Sequence, residues 1–586
     1  MSLRSLSHLP ASGREETAYA AAPGALSRRM FRIGLLTLVL ALPTAALAVE
    51  PADLVFRGGP IHTANDAQPT AEAVAVDNGR IVYVGSRAGA QAYVGRGTRV
   101  VELKGASLYP GFTDAHAHLR GIGERELTLN LEGTPSLAAL VEAVRKRAAA
   151  AQPGATISGR GWIETKWPEG RFPTAADLDA VSPNHPVLLE RADGHATVVN
   201  SAALRAAGIT AATPTPAGGE ILKDASGRPT GMLIDNAANL VAKLQTAPTE
   251  GERLRAYQSG FRVYSAYGWT GVHNMSVDPA DVPLMERMAG QGRAPVRVYN
   301  SLTPAGAKAL LRDGPRASAD GRITTRAVKF YVDGALGSRG AALFEPYSDR
   351  PDTRGLVTLT HDEALPLFER ALKRGVQITT HAIGDRGNSL VLDWYDQALR
   401  NVPPAERAVL EPRFRIEHAQ VVRAADIPRF AELDVIASMQ PSHAIGDLHF
   451  APARLGSARL DGAYAWRTLL DAGAVVVGGS DAPVERGDPL IEFYAAVARR
   501  DLAGFTGPGW HPEEALDRRA ALKLFTAWPA YARFAEAELG TIEVGKRADL
   551  SVFSVDLMTA PVADIPKGKA LMTVVDGRVE HRAAGW

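Results

Sequence analysis

Along residues 49–107 the hydrophobic positions come in short alternating runs, at 53–59, 73–76, 80–85 and 99–103, separated by Asp, Asn and Gly turns. Alternation with period two marks strands that bury one face. Residues 540–553 and 573–580 have the same texture. Neither end alone offers enough strands for a stable sheet, so the pattern predicts that 49–107 and 540–586 pair into one small β-sandwich. Between them stand eight strand-like runs, 108–112, 269–274, 295–300, 327–333, 376–381, 414–418, 434–440 and 475–481. Helical pattern separates the later ones, at 363–374 and 425–432 for example. This alternation predicts an α/β fold, a (β/α)8 TIM barrel over 108–539. The stretch 120–267 is far longer than one crossover helix requires and reads as an inserted cap after strand one, with strand-like pieces of its own at 156–160 and 186–190.

Composition narrows the partners. A chain of 586 residues accommodates a barrel with an insert and a satellite unit. Hydrophobic residues at 46% and charged residues at 22% are ordinary for a soluble globular protein. A net charge of +1, from 65 basic and 64 acidic residues without long single-sign runs, gives no nucleic-acid footprint and leaves a small molecule as the expected partner. Oligomeric state is not readable, and a homo-oligomer stays open. With no cysteine, disulfides and thiolate metal sites are excluded, so any metal must be held by His, carboxylate or modified Lys. Arg28, Arg29 and Arg32 precede an apolar run at 33–42 and the small-residue site Ala46-Leu47-Ala48. That order predicts a signal peptide over 1–48 and a periplasmic or secreted protein, and 27–32 also resembles a twin-arginine signal. The apolar run is too short to span a bilayer comfortably, so the chain is not read as an integral membrane protein.

Candidate chemistry sits where a barrel presents its active site, at the C-terminal strand ends. The stretch 108–118 ends in His116 and His118, which share one face if the strand continues. By itself this pair fits a metal site or two unrelated histidines. His381 and His418 end the fifth and sixth runs and Asp481 ends the eighth. Lys329 lies inside the apolar fourth run, Arg326-Ala-Val-Lys-Phe-Tyr-Val-Asp333. A buried lysine favours the neutral amine, which can take up carbon dioxide as a carbamate able to bridge two cations; an ion pair with Asp333 is the alternative.

Taken together, this set resembles the metal-dependent amidohydrolase superfamily, and most of all its large-insert branch that includes N-substituted formamide deformylases. Gly545-Lys-Arg-Ala-Asp549 resembles that family's return to the terminal β unit. The resemblance implies two divalent metal ions, zinc first, with His116, His118 and Asp481 on the more buried ion, His381 and His418 on the other, and a carbamate on Lys329 between them. It implies a hydrolase that cleaves an amide or other non-peptide C–N bond with a metal-activated hydroxide, Asp481 carrying the proton to the leaving nitrogen. Ester, lactone or dipeptide hydrolysis on the same site, a mononuclear deaminase, and a non-catalytic scaffold are the alternatives.

In the insert, Gly161-Trp-Ile-Glu-Thr-Lys-Trp167 and Asp193-Gly-His-Ala-Thr-Val-Val-Asn-Ser201 resemble segments of the same branch. His195 is the candidate to contact the substrate carbonyl or oxyanion, or else a turn residue bonding its own loop. Trp162 and Trp167 are candidates for an apolar substrate wall, or else plain core. His443, after the seventh run, is a candidate for substrate contact, and both it and His273, at the end of the second run, are candidates for supporting the metal ligands.

Overall fold

The computed structural model describes residues 49–216, 218–245, 248–507 and 510–586; the expected signal peptide, 1–48, lies outside the described residues. Eight parallel strands form the path that carries the site: β1 Phe112–Ala117, β2 Trp269–Val277, β3 Arg297–Leu302, β4 Ile323–Tyr331, β5 Gln377–Ala382, β6 Arg415–His418, β7 Ile436–Met439 and β8 Val476–Gly478. Each pairs in parallel with the next in chain order, as the βαβα pattern predicts. Helices such as His361–Arg374, whose capping box joins Thr360 and Glu363, return the chain between strands. Just beyond β8 the ring closes onto β1, where Asp481 N donates to His116 O (2.6 Å) and His118 N to Ala482 O (2.7 Å). Asp114 on β1 reinforces this seam, accepting from Ser480 N (2.9 Å) and Tyr264 OH (2.8 Å).

The first expected strand is two strands. Ser107–Pro110 belongs to the terminal sheet, and β1 begins only at Phe112. Gly111 is the joint: a Cβ there would lie 2.2 Å from Thr270 Oγ1 on β2, so only glycine lets the chain pass from one sheet to the other at this spot. The histidines therefore ride on the barrel, whereas the apolar run before them holds the terminal sheet.

Both chain ends meet in one eight-stranded sheet. Leu550–Phe553 pairs antiparallel with Ser107–Pro110, and Phe56, Leu108, Val552 and Met572 share a core. Asp549 of the Gly545–Asp549 motif accepts two bonds from Arg297 at the start of β3 (2.6 and 3.0 Å), tying this sheet to the barrel with a buried ion pair. The insert has its own six-stranded sheet, running from Gly219–Lys223 through Pro229–Asp235, Ala196–Val199, Val187–Arg191 and Ile157–Trp162 to Leu129–Asn130. It leaves the barrel on helix Leu119–Leu127 and returns on Glu250–Tyr267. These two helices pack so closely that a Cβ at Gly123 would come within 1.7 Å of Ala256 O. Among the described residues no helix is long and apolar enough to cross a membrane.

Candidate metal centre

At the C-terminal end of the barrel, the strand periodicity and the β8–β1 seam bring His116, His118 and Asp481 together. His116 Nε2 lies 3.4 Å and His118 Nε2 3.1 Å from the same atom, Asp481 Oδ1. That oxygen is buried and has no hydrogen-bond partner among the described residues. Burial alone would raise the Asp481 pKa, but the neighbouring imidazoles of His116, His118 and His418 hold it well below the ordinary 3.8. The other carboxylate oxygen faces His443 Nε2 at 3.7 Å and His418 Nδ1 at 4.0 Å. His116, His118 and Asp481 form one group close enough to share a cation; His418, His443 and Asp481 form another. A buried, unpartnered carboxylate oxygen facing two imidazole nitrogens fits a divalent metal, whose positive charge would replace the water that both groups have lost.

His116 is fully buried and sits against a carboxylate that sequence reasoning missed. Its Nδ1 donates to Glu417 Oε2 at 2.5 Å, which leaves Nε2 bare toward Asp481. Burial first, and the Lys329 charge second, push the His116 pKa down to about 4, so the ring is neutral. Glu417 has lost its water too, but Arg415 (Nε to Oε1, 2.8 Å) and His116 keep its pKa down at about 2. Arg415 also reaches Ser438 Oγ and His273 Nδ1, both at 2.8 Å, so His273 supports the ligands from inside the barrel. Glu417 directly precedes His418 in the short strand Arg415–His418, and that position was its only trace in the sequence.

Lys329 on β4 is 1% exposed, and its Nζ lies 3.3 Å from His116 Nε2. Burial lowers its pKa to about 8 against the opposing pull of Glu417 and Asp481. The alternative ion pair with Asp333 is not formed. Asp333 instead accepts backbone N–H groups of Ala342, Ile383 and Gly384 at 2.8–3.0 Å. His381 at the end of β5 stacks edge-on with His418 (4.5 Å between centroids), and its Nε2 lies 3.4 Å from Gly334 O. His418 is held through Nδ1 by Gln440 Oε1 at 2.8 Å. His418, Ala419 and Asp481 all have positive φ (76°, 43° and 57°), a backbone cost that clusters where side chains must be aimed at a site.

His116, His118, Lys329, His381, His418 and Asp481 line a cavity of about 800 Å³ between the barrel and the insert. His195 and His443 line it as well. His195 comes from the insert, its Nδ1 bonded to Asp235 Oδ1 at 2.8 Å and its ring centroid 6.4 Å from that of His381. Trp162 and Trp167 do not line it, which corrects their expected role as a substrate wall. Trp162 is fully buried in the insert core with Leu140, Val144 and Leu189, and its Nε1 donates to Leu189 O (2.9 Å). Trp167 donates to Thr134 O (2.7 Å) in the same cluster. Gly161 and Ile163 face the cavity in their place, and side chains that alternate along a strand send the intervening Trp162 the other way.

Residues 99–581 match the Amidohydrolase family. The chain is 34% identical to the Bacillus subtilis (strain 168) protein YtcJ, named as an amidohydrolase, over 90% of this chain and 99% of that one. It is 30% identical to an N-substituted formamide deformylase of Arthrobacter pascens over 91% of this chain and 99% of that one. A crystal structure of an uncharacterized metal-dependent hydrolase from Pyrococcus horikoshii OT3 superimposes with a TM-score of 0.71 and 25% identity, covering 87% of this chain and 99% of that one. With barrel, cavity and metal-ligand geometry in place, this extent of matching assigns the protein: it belongs to the amidohydrolase family.

Proposed function

We propose that the protein is a metal-dependent hydrolase of non-peptide C–N bonds, acting on small-molecule amides. The observation that carries this reading is Asp481 Oδ1, buried, unpartnered and facing the Nε2 atoms of His116 and His118. Imidazole and carboxylate ligands suit zinc first, and also manganese, cobalt or iron. His381 and His418 offer a second ion a place beside the first. Lys329, whose pKa burial lowers to about 8, would help to hold it as a carbamate. Divalent metal at this centre supplies an acidified water and a positive charge beside the scissile carbonyl.

The chain's own groups perform the remaining work. Asp481 takes the proton of the attacking water and hands it to the leaving nitrogen, combining ligation with acid–base chemistry. Glu417 fixes the tautomer of His116 so that the ring accepts a cation rather than donating a proton. The insert roofs the cavity, shielding the reacting groups from bulk water, and presents His195 to the substrate. Similarity to a formamide deformylase puts N-substituted formamides first among the amides to try.

The test is a screen of the zinc-loaded protein against N-formyl, N-acyl, cyclic amide and lactone compounds, with Asp481→Asn as the blank. Hydrolysis of at least one amide class is expected, abolished by chelation and lowered roughly 10²–10⁴-fold in kcat by Asp481→Asn. Turnover of lactones alone would transfer the protein to ester chemistry, and normal turnover by Asp481→Asn would sink its assigned role. The basic, apolar and small-residue order of 28–48 supports export, which fractionation of expressing cells would check.

A further inference from the structure

Away from the metal centre the molecule carries another concavity, a cleft of about 600 Å³ that shares no lining residue with the cavity above the barrel. Helix Glu250–Tyr267 lines it with Arg255, Gln258 and Arg262, helix Leu119–Leu127 with its last residue, and the loop leading into β3 with Arg293 and Pro295. That loop precedes β3, so the cleft lies toward the N-terminal strand ends, whereas the metal centre stands at the C-terminal ends. Three guanidinium groups line it and, among the described residues, no carboxylate does. In a chain whose formal charge is only +1 this is a local surplus of positive charge. Arg255, Arg262 and Arg293 are all exposed, and among the described residues none of them is ion-paired. Glu252, one turn before Arg255, is taken by Thr249, whose N and Oγ1 both donate to it at 2.8 Å in the capping box. Arg293 donates to Gln291 Oε1 at 3.3 Å. A fourth guanidinium flanks the cleft at Gly292, where a Cβ would lie 3.5 Å from Arg578 Nη1. The acid nearest Arg578, Glu580 at 3.7 Å, already accepts from Arg322 at 2.9 Å.

We propose that this cleft binds a small organic anion carrying two phosphoryl groups, with Arg255, Arg262 and Arg293 as its ligands and Leu127 against its carbon skeleton. Like charges gathered on one concave wall repel one another, and an anion between them relieves that repulsion. Guanidinium groups match phosphoryl oxygens through two parallel N–H bonds, which a lysine ammonium does not. Arg255 and Arg262 are seven residues apart, so they share a helix face at a separation of about 10.5 Å along the axis. One tetrahedral oxyanion meets only one end of that row, whereas two phosphoryl groups on a short carbon chain meet both. Leu127 is 48% exposed and stands with Pro295 in the same wall, giving the carbon chain an apolar surface. Gln258 lies between the two arginines and offers a donor and an acceptor to a hydroxyl on that chain. Occupancy of the cleft does not depend on the reaction at the metal centre, with which it has no residue in common.

The experiment is a calorimetric titration of the zinc-loaded full chain with ethylene glycol bisphosphate at near-physiological salt, repeated on Arg255→Gln, Arg262→Gln, Arg293→Gln and the double variant of the two helix positions. Glutamine keeps much of the length and the helix propensity of arginine, and all three positions are exposed, so the variants retain fold and zinc content, checked by circular dichroism and metal analysis. We expect the wild type to take up one equivalent, each single substitution to weaken binding about 10-fold, and the double variant to give no measurable heat. Heat that persists in the double variant would mean that the bisphosphate sits on the zinc or elsewhere, and would overturn the proposal. Inorganic phosphate binding as tightly as the bisphosphate would overturn the requirement for two phosphoryl groups. Retention on phosphatidylglycerol vesicles, without heat from the bisphosphate, would make the patch a lipid contact and overturn the assignment to a small molecule. A wild type that binds none of these probes would overturn it outright.

Discussion

His116 on the barrel and Trp162 in the insert are both 0% exposed, and both lie in stretches that read as functional, yet only His116 faces the cavity. The difference lies in what surrounds each side chain. His116 is buried among polar partners, with Glu417 on one ring nitrogen and the unpartnered Asp481 oxygen facing the other. Trp162 has its one polar atom satisfied by Leu189 O and the rest of its surface packed against aliphatic side chains. A buried group with an unmet polar neighbour points to a ligand, whereas a buried group with every need met points to packing. Barrel-rim substitutions should therefore change metal binding and chemistry while the fold persists, and insert-core substitutions should do the reverse.

The largest expected effect is at the rim. Lys329→Ala should lose bound metal and nearly all activity while retaining its circular-dichroism spectrum, with short carboxylic acids restoring part of the rate. Metal analysis that finds full metal content retained, together with full rate, would remove the proposed bridge and weaken the contrast. Next, Trp162→Ala should cost about 3–5 kcal/mol in denaturant unfolding of the insert while leaving kcat of the folded fraction nearly unchanged; a selective rise in KM would instead return Trp162 to the substrate wall. Glu417→Gln should weaken metal affinity roughly 10–100-fold, measured by competition with a chromophoric chelator. The smallest effect concerns the insert alone. Arg171 and Thr174 hold the Asp177 carboxyl at about 2, below its ordinary 3.8, in a capping box. A lowered carboxylate pKa contributes stability that is full above 3.8 and is lost as the pH falls toward 2. Asp177→Asn should therefore be about 0.5–1 kcal/mol less stable than wild type at neutral pH. That gap should close between pH 3.8 and 2, and a gap independent of pH would mean that the carboxylate charge is not what stabilises the cap.

The barrel and the strand ends bearing His116, His381, His418 and Asp481 were legible because parallel barrel strands read as apolar runs punctuated by helical pattern, and active-site residues stand where those runs stop. Glu417 and Asp114 were harder, since a carboxylate next to a histidine has no spacing rule that separates a supporting residue from a solvated one. Asp235 left no trace. It lies 40 residues from His195, and only pairing within the insert sheet brings the two together.

By itself, then, the sequence determined the alternation that makes a barrel, the absence of thiol ligands, and the residue types able to hold a metal. Tertiary structure decided the rest: that the stretch 108–118 divides at Gly111 between two sheets, that Asp481 turns one oxygen to His116 and His118, and that Trp162 turns into the insert core while His195 faces the cavity. The physical reason is that local periodicity assigns a side chain to one face or the other of its own strand, but whether that face meets a cavity or a core depends on the elements packed against it.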